Sequence, residues 1–285
     1  MTNTLELVET ELRHVQGANG VSYAYRRFGQ VGEGVPLVFL QHFRGDIDNW
    51  DPALINPIAT RRDVILFDNV GIGSTSGRAP STVGEMARDA IAFFAALGLG
   101  RVDLFGFSLG GFVAQAVALG GNAAVRRLVL AGTGPQGAPG MGAWAPDVVE
   151  RLVVREQPGG EDVLYVFYAH TPSSQGAGAA SLGRIFERQE GRDTGVSLEA
   201  KDAQYRAIVA WGEPDGRVSE RLAGIVQPTL IHQGDNDIMI PTDASRILAQ
   251  HIPNSRITIF PDASHGSIFQ YASAAAAETV DFLAE

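Results

Sequence analysis

The sequence predicts an α/β fold built on a mostly parallel sheet and interrupted once by a long helical insert. Three observations carry this. Short apolar runs recur through the first half with helical patterns between them, and short buried strands alternating with helices make a parallel sheet. That rhythm stops after Ala131 and resumes only near Thr229. Between one strand-like run and one helix-like run stands Gly106-Phe107-Ser108-Leu109-Gly110, a pattern with which a chain holds a serine in a tight strand-to-helix turn.

Residues 7–14 and 21–28 alternate like half-exposed strands around the turn Gly17-Ala18-Asn19-Gly20 and predict an antiparallel edge hairpin. Residues 36–41 and 63–67 read as buried strands. Residues 82–97 carry Met86, Ala90, Phe93, Phe94 and Leu97 at helical spacing, and Thr82 with Glu85 makes a capping-box start. Residues 102–107 form the strand that feeds Ser108, residues 112–119 the helix that leaves it, and residues 127–131 a further strand. The glycine- and proline-rich stretch 132–140 reads as a linker. Beyond it lie candidate helices 146–157, 161–169, 177–189 and 199–211, punctuated by Pro172, Gly176 and Pro214. Strand patterns return at 229–232 and 256–260, and a helix at 272–283 closes the chain. The implied organisation is a core of residues 1–133 and 223–285 and a helical insert of residues 134–222. Such sheets bind ligands beyond the carboxyl ends of their strands, so the insert is expected to project there as a lid.

Composition narrows the function. The formal net charge is −10 with no Lys/Arg cluster, which argues against nucleic acid or anionic membrane as the main partner. There is no cysteine, which excludes disulfides, thiolate catalysis and cysteine-based metal sites and fits a reducing compartment. The start Met1-Thr2-Asn3-Thr4-Leu5-Glu6 lacks the basic and apolar regions of a signal peptide, and no apolar run has the length of a membrane span. A cytoplasmic protein acting on a small molecule is expected, with a homodimer left open.

A serine nucleophile needs a base, usually histidine, and a carboxylate to orient that base. Of the six histidines, His265 lies in Ala263-Ser264-His265-Gly266, between the last strand and the last helix, at the same sheet edge as Ser108. His14, His170, His232 and His251 fall near the N-terminus, in the insert, within a strand and on a helix. The carboxylate is sought after strand 229–232, where Asp235 and Asp237 compete; Asp262 reads as a turn residue after Pro261. The position just past Ala131 offers no carboxylate. Acyl transfer also needs oxyanion donors. One is the backbone N–H of Leu109, and the second is expected from the loop His42-Phe43-Arg44-Gly45.

This pattern resembles the α/β-hydrolase superfamily over nearly the whole chain. The resemblance rests on the pentad 106–110, the order Ser108, Asp237, His265, and the stretch Phe67-Asp68-Asn69-Val70-Gly71-Ile72-Gly73-Ser74, similar to the family's Asp-x-x-Gly-x-Gly-x-Ser loop. The segment 234–241 is similar to Gly-x-x-Asp-x-x-x-Pro, which makes Asp237 rather than Asp235 the acid. The family implies an eight-stranded, mostly parallel sheet flanked by helices, with a helical cap after strand six. Where it usually reads His-Gly-x, this chain has Gln41-His42-Phe43. Matching Gln41 to the family histidine puts Trp50 at a position often held by tryptophan and makes Phe43 the second donor; matching His42 instead moves the donor to Arg44. The first match is preferred.

The implied activity is that of a serine hydrolase on a carboxylic ester, lactone or related acyl compound, with no metal or cofactor. The same fold and triad also occur in cofactor-free haloperoxidases, carbon–carbon bond hydrolases and hydroxynitrile lyases, and in ligand receptors that turn over slowly. His42 and Arg44 are candidate substrate contacts, Arg44 through a carboxylate on the substrate. Trp144, Phe167, Tyr168, Phe186, Tyr205 and Trp211 are candidates for the pocket lining, with at least half of them expected in the packing of the insert.

Overall fold

The computed structural model describes residues 6–120 and 124–285. Met1–Leu5, which carry most of the reading against a leader, lie outside the described residues. Eight strands form one sheet: β1 Arg13–Gln16, β2 Ser22–Gly29, β3 Leu37–Leu40, β4 Asp63–Phe67, β5 Val102–Phe107, β6 Val125–Ala131, β7 Thr229–Gly234 and β8 Ser255–Phe260. Their order is β1-β2-β4-β3-β5-β6-β7-β8. The β1–β2 and β2–β4 pairs are antiparallel and all others parallel. Every residue of β3, β4 and β5 is buried, as expected for strands covered on both faces.

The helices before β6 are α1 Pro52–Ala59, α2 Val83–Ala96 and α3 Leu109–Leu119. Between β6 and β7 lie α4 Pro146–Val149, which runs into a π turn at Glu150–Val154, then α5 Gly160–Phe167, α6 Pro172–Ile185, α7 Leu198–Trp211 and α8 Val218–Ala223. After β7 come α9 Thr242–His251, α10 Ser267–Gln270 and α11 Ala272–Ala284. Two helix pairs, α1 with α11 and α2 with α3, cover the sheet. Phe67 of β4 stacks on Phe93 of α2 at 4.2 Å between ring centroids, so the helical spacing read from the sequence is the core-facing stripe. Among the described residues no helix is long and apolar enough to cross a membrane.

The structure differs from the sequence reading at several places; the candidate helix 146–157 is a short α-helix and a π turn that ends at Val154, and α8 has no counterpart in it. Residues 7–14 do not form one strand: Leu7–Glu9 make a 3₁₀ turn and pairing starts only at Arg13. The Leu7 N–H is drawn to Asn56 Oδ1 (2.9 Å), and Thr10 O accepts from the buried Arg26 and from Arg188. The backbone there serves buried donors instead of a neighbouring strand. Helix α1 has no counterpart in the reading because Pro57 sits inside it; its start signal is Asp51, which caps Ala53 N–H, followed by Pro52 at the first helical position. The helix expected over 177–189 starts earlier, so that Gly176 lies inside it rather than before it. Pro172 begins α6, with Thr171 capping Ser174 N–H.

Two carboxylates buried in the sheet, Asp63 and Asp103, are paired with arginines, which offsets their desolvation. Asp103, wholly buried in β5, is held by Arg62 and Arg126, both at 2.6 Å. Asp262, read as a turn residue, adopts a left-handed φ of 51°. Its carboxylate accepts from the hydroxyls of Thr171 and Ser173, tying the start of α6 to the loop after β8.

Candidate active site

Ser108 sits between β5 and α3 with φ 55° and ψ −117°, a conformation that costs a non-glycine residue energy and persists only when its surroundings hold it. The Ser108 N–H donates to Ala131 O at 2.9 Å. A Cβ at Gly106 would lie 2.5 Å from Gly110 O, and one at Gly110 would lie 2.0 Å from Leu40 O. Backbone fills the space on both sides, so the glycines of the pentad are steric requirements. Gly110→Ala is therefore expected to destabilise the fold by about 3 kcal/mol, the upper range for overpacking; a shift in the urea midpoint measures it.

His265 follows β8 and reaches back to Ser108. Its Nε2 lies 2.9 Å from Ser108 Oγ, and its Nδ1 lies 2.8 Å from Asp237 Oδ2. Asp237 in turn accepts from Met239 N–H (2.8 Å) and Ile240 N–H (2.9 Å) on Oδ1, and from the Gln233 amide (3.0 Å) on Oδ2. A carboxylate with this many donors is ionised and accepts only. Nδ1 of His265 therefore carries the ring proton, and Nε2 is left to accept the Ser108 hydroxyl. The side chains of His265 and Asp237 are 1% and 0% exposed. Phe107 and Phe167 pack on the imidazole at 5.1 and 5.2 Å. The loop is pinned to the insert by Gly266 N–H donating to Phe167 O (2.7 Å) and Ser264 Oγ donating to Val166 O (3.0 Å).

Asp235 points elsewhere. It is exposed, and its Oδ1 accepts from Ala263 N–H and the Asn236 amide. Gln233 has no signal in the sequence reading. It holds Asp237 while donating to Ile240 O (3.0 Å) and accepting from Ser245 Oγ (2.9 Å).

Among the described residues, the N–H groups of Leu109 and Phe43 meet no protein acceptor. The neighbouring N–H groups of the Gln41–Gly45 loop are taken. His42 N–H donates to Gln41 Oε1 and Arg44 N–H to Gln204 Oε1, both at 2.9 Å, and Gly45 N–H to His42 O. Arg44 has a left-handed φ of 62°. Its guanidinium donates to Leu152 O (3.1 Å), Arg155 O (2.9 Å) and Glu156 O (2.5 Å), closing the carbonyl end of the π turn. His42 donates from Nδ1 to Phe43 O (2.8 Å) and packs edge-on against Phe107 and Phe167. Burial pushes the His42 imidazole down to about 4, with the nearby His265 adding to the shift, so it is neutral at ordinary pH.

A cavity of about 300 Å³ opens between this loop and the insert. Its walls include His42, Phe43, Arg44, Phe167, Tyr168 and Phe186. Phe167 also touches His265, so the cavity adjoins the hydrogen-bonded chain. Two predicted contacts do not line it. Trp211 stacks on Phe112 at 5.1 Å and donates its indole N–H to Gly134 O (3.2 Å). Trp144 is wedged between Phe43 (5.4 Å) and Tyr205 (5.5 Å). Both belong to the packing of the insert.

Comparison with known proteins bears on the fold. The family model for the alpha/beta hydrolase fold matches residues 35–271. A solved structure, an alpha/beta hydrolase fold protein from Chitinophaga pinensis, superposes with a TM-score of 0.92 at 35% identity, covering 98% of this chain and 99% of that one. A non-heme haloperoxidase from Rhodococcus erythropolis is 27% identical over 94% of this chain and 98% of its own. A protein assigned as a carbamate hydrolase, RutD, from Azorhizobium caulinodans is 28% identical over 79% of this chain and 82% of its own. With the fold and the matched residues in agreement, the chain belongs to the α/β-hydrolase family.

Proposed function

We propose that this protein is a serine hydrolase that cleaves a carboxylic ester, lactone or related small acyl compound through an acyl-enzyme on Ser108. The observation that carries the reading is the unbroken chain Ser108 Oγ, His265 Nε2, His265 Nδ1, Asp237 Oδ2, with separations of 2.9 and 2.8 Å. In this reading Ser108 Oγ attacks the carbonyl carbon and passes its proton to His265 Nε2. Asp237 stabilises the imidazolium that forms. The N–H groups of Leu109 and Phe43 receive the negative charge on the carbonyl oxygen. One such donor is typically worth about 3 kcal/mol of barrier. His265 then returns the proton to the leaving alcohol. A water, deprotonated by the same nitrogen, releases the acid and restores Ser108. Residues 134–222 act as the lid that walls the pocket.

The substrate in this reading is uncharged where it meets the cavity. Arg44, the one cation among the residues of the loop 41–45, spends its guanidinium on three carbonyls, and His42 is neutral. An anion in this apolar cavity would be left unpaired at a cost of a few kcal/mol. A neutral short-chain p-nitrophenyl ester is expected to show a kcat/KM at least about tenfold above that of the same ester ending in a carboxylate, tenfold being about 1.4 kcal/mol. Steady-state kinetics on the pair tests this. A preference for the anionic ester would mean that Arg44 leaves its carbonyls to meet substrate. The likeness to the Rhodococcus erythropolis haloperoxidase favours one second reading. There, hydrogen peroxide replaces water as acceptor of the acyl group and a peracid leaves.

A further inference from the structure

Asp68, just past β4, and Asp193, between α6 and α7 of the insert, bring their carboxyl groups together inside the protein. Asp68 Oδ1 accepts Ile47 N–H at 2.8 Å. Asp193 Oδ1 accepts Ser74 Oγ–H and Thr194 N–H, both at 2.6 Å. The other oxygen of each, Asp68 Oδ2 and Asp193 Oδ2, is buried and receives no donor from any described residue. These two oxygens lie 2.6 and 2.7 Å from the place a Cβ would take at Gly73, so they face each other across that glycine.

The cations nearby are committed. Arg26 gives its two terminal nitrogens to Asp48, Thr10 O and Gly191 O, and its charge reaches Asp193 only through space, while Arg188 donates to Leu7 O and Thr10 O. Arg192 is spent on Ile185 O and Arg188 O. Asp46 and Asp48 add further negative charge. Of two carboxyl groups brought this close in a buried place with no donor between them, one is driven to keep its proton. We propose that Asp68 and Asp193 share one proton, held by Asp68, and that this acid pair latches the insert onto the loop that carries Phe43.

Both sides of the latch are structural. Beside the pair, Gly73 N–H donates to Gly195 O (3.0 Å) and Asp193 N–H to Asp48 Oδ2 (2.7 Å). The cavity walls Phe186 and Val196 flank this segment. On the other side, Asp68 holds Ile47, while Asp46 O accepts from Gln41 at the root of the loop. Asp68 and Asp193 are thus positioning residues. Their effect on turnover rests on the hydrolase reading, but the shared proton does not.

Burial raises the Asp68 carboxyl well above the usual range, and the hydrogen bond and charge of Asp193 raise it further. Burial also works upward on Asp193, but hydrogen bonds donated by Asp68, Ser74 and Thr194 outweigh it and hold it low. A raised folded value favours the fold below it and loses that contribution as pH climbs through it; a lowered one loses its contribution as pH falls through it. The latch therefore holds between the two titrations and opens on the alkaline side.

Infrared spectroscopy of protein carrying ¹³C-labelled aspartate, taken on the alkaline side of Asp46 (which burial pushes up to about 6), is expected to show one protonated-carboxyl band. Asp68→Asn should remove it, since an amide donates to Asp193 in place of the proton. Asp193→Asn should lower the pH at which it disappears, because the charge of Asp193 is gone and the new amide donates to Asp68, leaving burial alone to raise that group; this variant decides the matter if Asp68→Asn does not fold. The protection factor of amides in residues 191–197, exchange corrected for its intrinsic base catalysis, should fall at least about tenfold on alkalinisation of the wild type, a loss of about 1.4 kcal/mol of protection, and stay unchanged in Asp68→Asn. KM for a neutral ester should follow the same two patterns. An absent band, or equal alkaline loosening in wild type and Asp68→Asn, overturns the latch. The expected band and exchange in a protein that hydrolyses no ester would support the latch while sinking the hydrolase reading.

Discussion

Ser108→Ala is expected to cut kcat on a short-chain p-nitrophenyl ester by about ten-thousand-fold to a million-fold, the range seen when the nucleophile of such a unit is removed. The size of the effect follows from the geometry. Ser108 Oγ is the atom within hydrogen-bond reach of His265 Nε2 at the end of a chain anchored by Asp237. Alanine leaves the imidazole without a nucleophile to deprotonate, and only the oxyanion donors and binding still act. The fold should tolerate the change. Ser108 contributes no side-chain cap to α3, and its backbone contacts to Ala131 and Thr133 remain. Unchanged thermal stability with lost turnover is the expected pair of results; full activity in the variant would refute the mechanism.

Asp237→Asn is expected to lower kcat by about ten-thousand-fold, the cost of holding the histidine in the wrong tautomer. Met239 N–H and Ile240 N–H both donate to Oδ1 of Asp237, so an amide oxygen must stay there. The amide nitrogen then faces His265 Nδ1. A donor at that place favours the tautomer protonated on Nε2, which cannot accept the Ser108 proton. The same nitrogen also meets the Gln233 amide, which donates to this oxygen in the wild type. Asp235→Asn touches only an exposed turn and should change kcat less than about twofold, within the small effects usual for surface substitutions. Loss of activity in Asp235→Asn alone would reverse the assignment of the acid.

These two predictions rest on residues of unequal legibility. Ser108 and His265 were readable because their signals are local. A strand, a Gly-x-Ser-x-Gly turn and a helix adjoin in the chain, and His265 falls between the last strand and the last helix. The choice of Asp237 over Asp235 came from resemblance, since spacing does not tell which way each side chain leaves a turn. The preference for Phe43 over Arg44 rests on matching Gln41 to the family histidine; the Gln204 contact that occupies the Arg44 N–H from α7 supports it and has no sequence signal. Arg44 itself binds carbonyls of the π turn and its following loop. Contacts so distant in sequence leave no periodic trace. The same holds for Gln233 behind Asp237 and for Asp68 with Asp193. In the fold, buried strands and capped helices were legible, whereas α1 was hidden by Pro57 and the N-terminal segment by the pull of Arg26 and Arg188 on its carbonyls.

The central claim is that Ser108 is the attacking atom. A fluorophosphonate that phosphonylates activated serines tests it most directly, with the modified peptide mapped by mass spectrometry and residual esterase activity followed in the same sample. The account predicts one label per chain, on Ser108, with activity falling in proportion to labelling and no label in Ser108→Ala. Complete labelling of Ser108 with esterase activity intact, or inactivation through a label on another residue, would contradict it.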